Sequence, residues 1–275
     1  DPETIVHDLY GNVWIKLSET GKIYKYNATT QRTLCMNCNS NSKLSSFKTT
    51  VLFKDHSNTI WLGSDSGLFS YDSDLDSIIR FPLEIGMINS IANGQKNEIW
   101  VGSSNGLVRV INGPNGDYKL YKKSNSKSSI VSNYIKDLDW DQSRNMLWIA
   151  TDNGISRYIP SEDKFFNIQT TPFADSIVEN DISELMVATR SGRLWYTTAT
   201  EPGINCLSVE FSSESNSPPP ANHFEHDPID KKSIADNNIT DFIEDKAGHV
   251  WIGTGQNGIS FLSYVKSKFT HLRYD

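Results

Sequence analysis

The sequence predicts an all-β fold, a β-propeller of six four-stranded antiparallel blades, and three observations lead there. Six of the seven tryptophans occupy one recurring phrase. The phrase returns at spacings of 47, 39, 48, 47 and 56 residues, the range in which units of several short strands build propellers. No segment carries the apolar period of an amphipathic helix over three or more turns, which removes α/β alternatives.

The phrase has a physical logic at each position. Its tryptophans are Trp14, Trp61, Trp100, Trp148, Trp195 and Trp251, and three residues before them stand Gly11, Asn58, Asn97, Asn145, Gly192 and Gly248. Glycine and asparagine best tolerate the positive φ that a tight hairpin turn demands. Ahead of the turn, Asp8, Asp55 and Asp245, with Asp141 one place further out, are placed to accept from the turn's backbone amides. An apolar residue flanks each tryptophan on both sides, the mark of a strand buried on both faces.

The remaining strands of each unit follow from this register. A second turn precedes a third strand, as in Gly67 to Tyr71, Gly106 to Val110, Gly154 to Tyr158 and Gly258 to Leu262. A more polar fourth strand comes next, such as Ser77 to Phe81, Tyr118 to Tyr121, Lys164 to Ile168 and Phe269 to Tyr274. The first strands lie before the aspartate turn, from Asn133 to Leu138 and from Asn238 to Ile243 for example. The whole chain, 1–275, thus reads as one propeller domain or part of one. Its blades fall at about 1–38, 39–81, 82–123, 124–169, 170–213 and 214–275. The units run in phase, so no strand from one end is left to complete a sheet at the other. Either the six units close a ring by face packing alone or the chain is a piece of a larger array, and a piece is expected. Each tryptophan is expected to pack between blades and not to serve as a carbohydrate platform.

Composition narrows the function. A formal charge of −7 argues against a nucleic-acid partner. No apolar run is long enough to span a bilayer, so no membrane contact is expected of this segment. Cys35 and Cys38 lack the second ligand pair a metal would need, and with Cys206 they leave disulfide formation open. His223, His226 and Asp227 gather ligand-type residues in a stretch read as a loop from Phe211 to Asn237, without the fixed spacing of a metal site. No nucleophile elbow or phosphate loop occurs. No catalytic residue, metal or cofactor is expected.

The stretch Asp245-Lys-Ala-Gly-His-Val-Trp-Ile-Gly-Thr254, continuing to Gly258, resembles the repeat of the two-component-regulator propellers. So do Ser233 to Ile239 and the matching Ser129 to Ile135. That resemblance implies the periplasmic sensor region of a hybrid two-component histidine kinase of Bacteroides type, detecting oligosaccharides from glycan breakdown. It also implies that the chain is part of a seven-bladed or double-propeller ectodomain, and it implies partners: a further propeller or an immunoglobulin-like domain of the same polypeptide, and a second copy in a homodimer. The family's ligand contacts lie outside the repeat motif, so none carries over by position.

A ligand is expected at the loops joining fourth to first strands and second to third strands, which share one face, opposite the aspartate hairpins. The long connections there are Leu34 to Phe47, Arg80 to Ser90 and Phe211 to Asn237. The candidate contacts are Asn133, Tyr134, Asn238 and Gln256, with Asn180, Asp65 and Asp152 on the same side. Two other readings stay open: a scaffold or dimerisation propeller without its own ligand, and a glycan-cleaving propeller, which would need paired carboxylates.

Overall fold

In the computed structural model, the described residues are 1–38, 48–168, 181–188, 190–209, 221–263 and 269–272. Six four-stranded antiparallel sheets follow one another along the chain, each a meander in which consecutive strands pair. The first sheet is β1 (Pro2–His7), β2 (Asn12–Leu17), β3 (Ile23–Asn27) and β4 (Arg32–Cys35). The second is β5 (Thr49–Lys54), β6 (Ile60–Ser64), β7 (Gly67–Asp72) and β8 (Ser77–Arg80). The third is β9 (Ile88–Asn93), β10 (Glu98–Ser103), β11 (Gly106–Ile111) and β12 (Tyr118–Tyr121). The fourth is β13 (Ile135–Asp141), β14 (Met146–Thr151), β15 (Gly154–Ile159) and β16 (Lys164–Ile168). The fifth is β17 (Ile182–Ala188), β18 (Arg193–Thr198), β19 (Ile204–Ser208) and β20 (Ala221–Phe224). The sixth is β21 (Ile239–Glu244), β22 (Val250–Thr254), β23 (Ile259–Leu262) and β24 (Phe269–Leu272).

The turn residues behave as their chemistry requires. Gly11, Asn58, Asn97, Asn145, Gly192 and Gly248 all take positive φ, between 53° and 85°. Asp55 shows what the preceding acid does: its Oδ1 accepts from the amides of Ser57 and Thr59, both at 2.8 Å. Its Oδ2 accepts from Trp61 Nε1 at 2.8 Å. The turn and the tryptophan are thereby locked by one side chain.

The chain forms two compact units. One comprises 1–123 with 133–138, and the other 124–132 with 139–275. In the first unit one apolar cluster gathers Trp14, Ile23, Leu52, Ile60 and Phe69, and a second joins Trp61, Leu68 and Phe81 to Ile88, Ile99 and Val101. In the second unit Trp148, Ile155, Ile182 and Leu194 form one cluster, and Trp195, Ile204, Phe242 and Ile252 another. Each cluster draws on two successive sheets, which is how a sheet with two apolar faces covers them. Truncating a tryptophan buried this way costs about 3–5 kcal/mol.

Several expectations need correction. Sheets two to four bury their second strands almost throughout, but β2 alternates and β22 is half-buried, so Trp251 is only partly covered. The first strands of the fourth and sixth sheets begin at Ile135 and Ile239, which leaves Asn133 and Asn238 in the connections. The stretch read as a loop from Phe211 to Asn237 contains β20, the fourth strand of the fifth sheet. That sheet therefore runs past the expected boundary at 213, because alternation in Ala221–Phe224 is too weak to stand out in so polar a sequence. Asn180 lies outside the described residues, as do parts of the connections after Cys38 and after Ser208.

Candidate functional site

The connections that lead into the first strands begin with a shared device. In the first unit the carbonyl of Asn133 accepts from the Gly106 amide at 2.8 Å, and its side-chain Oδ1 accepts from the Lys123 amide at 2.7 Å. In the second unit Asn237 does the same: its carbonyl accepts from Gly203 at 2.9 Å and its Oδ1 from the His226 amide at 2.6 Å. Asn133 thus spends its carbonyl end tying a fourth-strand exit to the next first strand. The second unit adds a partner motif. Ser156 Oγ accepts from the Val131 amide at 3.0 Å, and Ser260 Oγ from the Ala235 amide at 2.8 Å. Ile130 and Ile234 beside those amides are buried. Repeated Ser-Ile and Gly-Ile-Ser phrases were visible in the sequence, and their common offset was the signal that they are partners.

With Asn133 so used, Tyr134, Asn238 and Gln256 remain as candidates. Tyr134 is half-buried next to the Asn133 staple, in the same unit as Asp65. In the second unit Asn238 and Gln256 are both exposed and close together. The Asn238 carbonyl accepts from the Gly255 amide at 2.9 Å, and its amide donates to Asp236 Oδ1 at 3.0 Å. Asn257 Nδ2 donates to Asp236 Oδ2 at 3.2 Å. A Cβ on Gly255 would stand 2.4 Å from Asn238 Nδ2, so the Asn238 side chain lies against the Gly255 backbone. The result is a hydrogen-bonded polar cluster of Asp236, Asn238 and Asn257 at one sheet end, with Gln256 next to Asn257 in the chain. The structure brings Asn238 and Gln256 together within one unit, while Asn133 and Tyr134 belong to the other.

The groups considered for catalysis or metal binding have structural partners. His223 lies on β20, with Nδ1 2.9 Å from Asn205 Oδ1 and Nε2 3.0 Å from Glu225 Oε1. His226 Nδ1 is 2.8 Å from the Ile234 carbonyl oxygen. Among the described residues no three His, Cys, Asp or Glu side chains are grouped to hold a metal. Burial pushes the Cys206 thiol pKa up, the condition of an inert core cysteine. Cys35 and Cys38 form a disulfide. Between them Asn37 accepts from the Ile23 amide at 2.9 Å and donates to the Gly21 carbonyl at 3.0 Å.

A family match falls on the last repeat. Residues 233–256, which contain the Ser-Ile phrase, the Asn237 staple, the Asp245 turn and Trp251, match the family model of the two component regulator propeller. The chain thus carries that repeat. Among solved structures, it is similar to the extracellular domain of the hybrid two component system BT3049 from B. thetaiotaomicron. Identity is 21% and the TM-score 0.69, over 99% of this chain and 34% of that one. It is also similar to the extracellular domain of the hybrid two component system BT4673 from the same organism, at 18% identity and a TM-score of 0.62, over 96% of this chain and 38% of that one. A third likeness is to virginiamycin B lyase from Staphylococcus aureus, at 15% identity and a TM-score of 0.67, over 100% of this chain and 85% of that one. These likenesses show the fold, a β-propeller of four-stranded antiparallel blades. The chain spans little more than a third of the two sensor ectodomains. No curated protein matches the sequence. Among the described residues no helix is long and apolar enough to cross a membrane.

Proposed function

We propose that this chain is part of the periplasmic sensing region of a hybrid two-component histidine kinase, and that it detects glycan-derived oligosaccharides. The observation that carries the reading is the repeat at 233–256, whose motif residues recur in hydrogen-bonded roles elsewhere in the chain. The fold-likeness to two such extracellular domains along nearly the whole chain supports it. On this reading the repeat residues build the blades, and Asn238 and Gln256, in connections of the second unit, contact the ligand. Their neutral amides suit the hydroxyls of an uncharged sugar. The signal passes through further domains of the same polypeptide, which acts as a homodimer.

A thermal-shift panel of oligosaccharides tests this, run on the chain and on the complete ectodomain. A ligand at 100 times its Kd stabilises by about 2.7 kcal/mol, which is several degrees at this size. The reading predicts one glycan class that stabilises the chain unconsumed, with the shift lost in Asn238→Ala or Gln256→Ala. Response by the ectodomain alone makes this segment a scaffold. Consumption of the glycan makes it an enzyme.

A further inference from the structure

In three sheets the residue paired across from the repeat tryptophan is a long cation. Lys25 stands opposite Trp14, Arg109 opposite Trp100 and Arg157 opposite Trp148. Each carries its charge over the indole, 5.7, 5.6 and 5.7 Å from the ring centroid. Lys25 reaches on to the second sheet: its ammonium lies 4.6 Å from the Tyr71 ring centroid and donates to Tyr71 Oη and Asp76 Oδ1. A cation of the first sheet is therefore received by an aromatic ring and an acid of the next.

The second, fifth and sixth sheets lack this cation, with Ser70, Cys206 and Phe261 opposite their tryptophans. The residue opposite Trp61 is Ser70, which is buried and leaves unfilled the space a lysine or arginine would take. The receiving side changes as well. Val110 of the third sheet stands at the same offset from its tryptophan as Tyr71 does in the second. The turn after it, 112–117, is longer than its counterpart at 73–76. Both halves of the bridge are missing at one place, and a cleft of about 470 Å³ opens there within the first unit.

The cleft retains the surroundings of a cation. Ser70, Asp72, Phe81 and Tyr118 line it, with Phe81 and Tyr118 edge to face at 5.7 Å and Tyr118 45% exposed. Asp72 Oδ1 accepts from the amides of Asp74 and Leu75, which fixes the carboxylate in its turn. Arg80 also lines the cleft, but at the other end of the β7–β8 pair, where it donates to the Ser66 carbonyl at 3.1 Å. The acid and the arginine thus hold opposite ends, and a positive group is favoured beside Asp72 and the rings.

We propose that this cleft binds an alkyl chain ending in an ammonium or guanidinium group, which takes the place that Lys25, Arg109 and Arg157 occupy in the first, third and fourth sheets. The group comes either from a small organic cation or from a side chain of a partner polypeptide. Calorimetric titration of the purified chain tests it, using argininamide, a capped pentapeptide with one central arginine, and the citrulline counterpart of each. The arginine forms bind saturably, and the citrulline forms bind about tenfold more weakly. Binding of the free amide identifies a small cation, and binding of the peptide alone a polypeptide partner. Ser70→Arg supplies the cation from within, as the first, third and fourth sheets do, so it melts no lower than the parent protein and loses binding. Tyr118→Ala, a change at a partly exposed site, weakens binding if Ser70→Arg does not fold. The proposal is overturned if no arginine form binds, if citrulline binds equally, or if binding persists in the folded Ser70→Arg or in Tyr118→Ala.

Discussion

Trp14 Nε1 donates to Asp8 Oδ2 at 2.9 Å across the hairpin that separates them, while Asp8 Oδ1 accepts from the amides of Tyr10 and Asn12. One carboxylate thereby holds a turn and a buried indole together. Trp61 with Asp55 and Trp251 with Asp245 repeat the arrangement at 2.8 and 2.9 Å. In the third sheet Gly94 takes the acid's place, and a Cβ there would stand 2.8 Å from Trp100 Nε1.

Removing such an acid leaves a buried indole donor and two turn amides unmet. Asp55→Ala is expected to destabilise the protein by about 2–3 kcal/mol. Asp74→Ala, at an exposed turn position, is expected to change it by under about 0.5 kcal/mol. Urea unfolding monitored by tryptophan fluorescence measures both.

Asp8 and Asp245 set an acid limit. Burial pulls the Asp8 pKa up, but donation from Trp14, Asn12 and Tyr10 outweighs it and holds the pKa below its ordinary 3.8. Donation by Trp251 and His249 lowers that of Asp245. A depressed folded pKa contributes stability that is fully present above 3.8 and lost as pH falls through the folded value. Stability is therefore expected to drop steadily below pH 3.8, and Asp8→Asn is expected to flatten that slope. Denaturant midpoints measured across the acid range decide it.

The turn asparagines answer to backbone conformation. Asn97 has φ of 64°. Asn97→Gly is expected to leave stability nearly unchanged, whereas Asn97→Val costs about 1–2 kcal/mol because a branched side chain resists positive φ. Melting temperatures of the two variants provide the comparison.

Sheet packing depends on a glycine after the tryptophan. A Cβ on Gly102 would stand 2.6 Å from Ile135 Cγ2, and one on Gly63 2.7 Å from Ile88 Cγ2. Gly102→Ala is expected to cost about 1–3 kcal/mol by overpacking. Adding Ile135→Ala relieves the clash, so the double variant is expected to lose less than the single costs combined. A double-mutant cycle reads that coupling directly.

The fold was legible because its signals are local. The six turn residues show in sequence as glycine or asparagine, and each takes the positive φ those residues permit. Strand β20 was not legible, since Ala221–Phe224 is polar and owes its place to pairing with β19. The role of Asn133 was hidden for a related reason. Its Oδ1 partner is the backbone amide of Lys123, a group with no side-chain signature. The pairing of Cys35 with Cys38, left open by the sequence, needed the geometry that brings their Cα atoms to 5.4 Å.

The repeat is written locally in the chain: its turns, the tryptophan register and the four-strand rhythm. Those rest on hydrogen bonds and backbone preferences closed within a few residues. Which polar side chains are spent as staples, and where a cation's place stands open beside Ser70, emerge only in the folded chain. Both depend on atoms that distant stretches of chain bring together, and packing between successive sheets sets them.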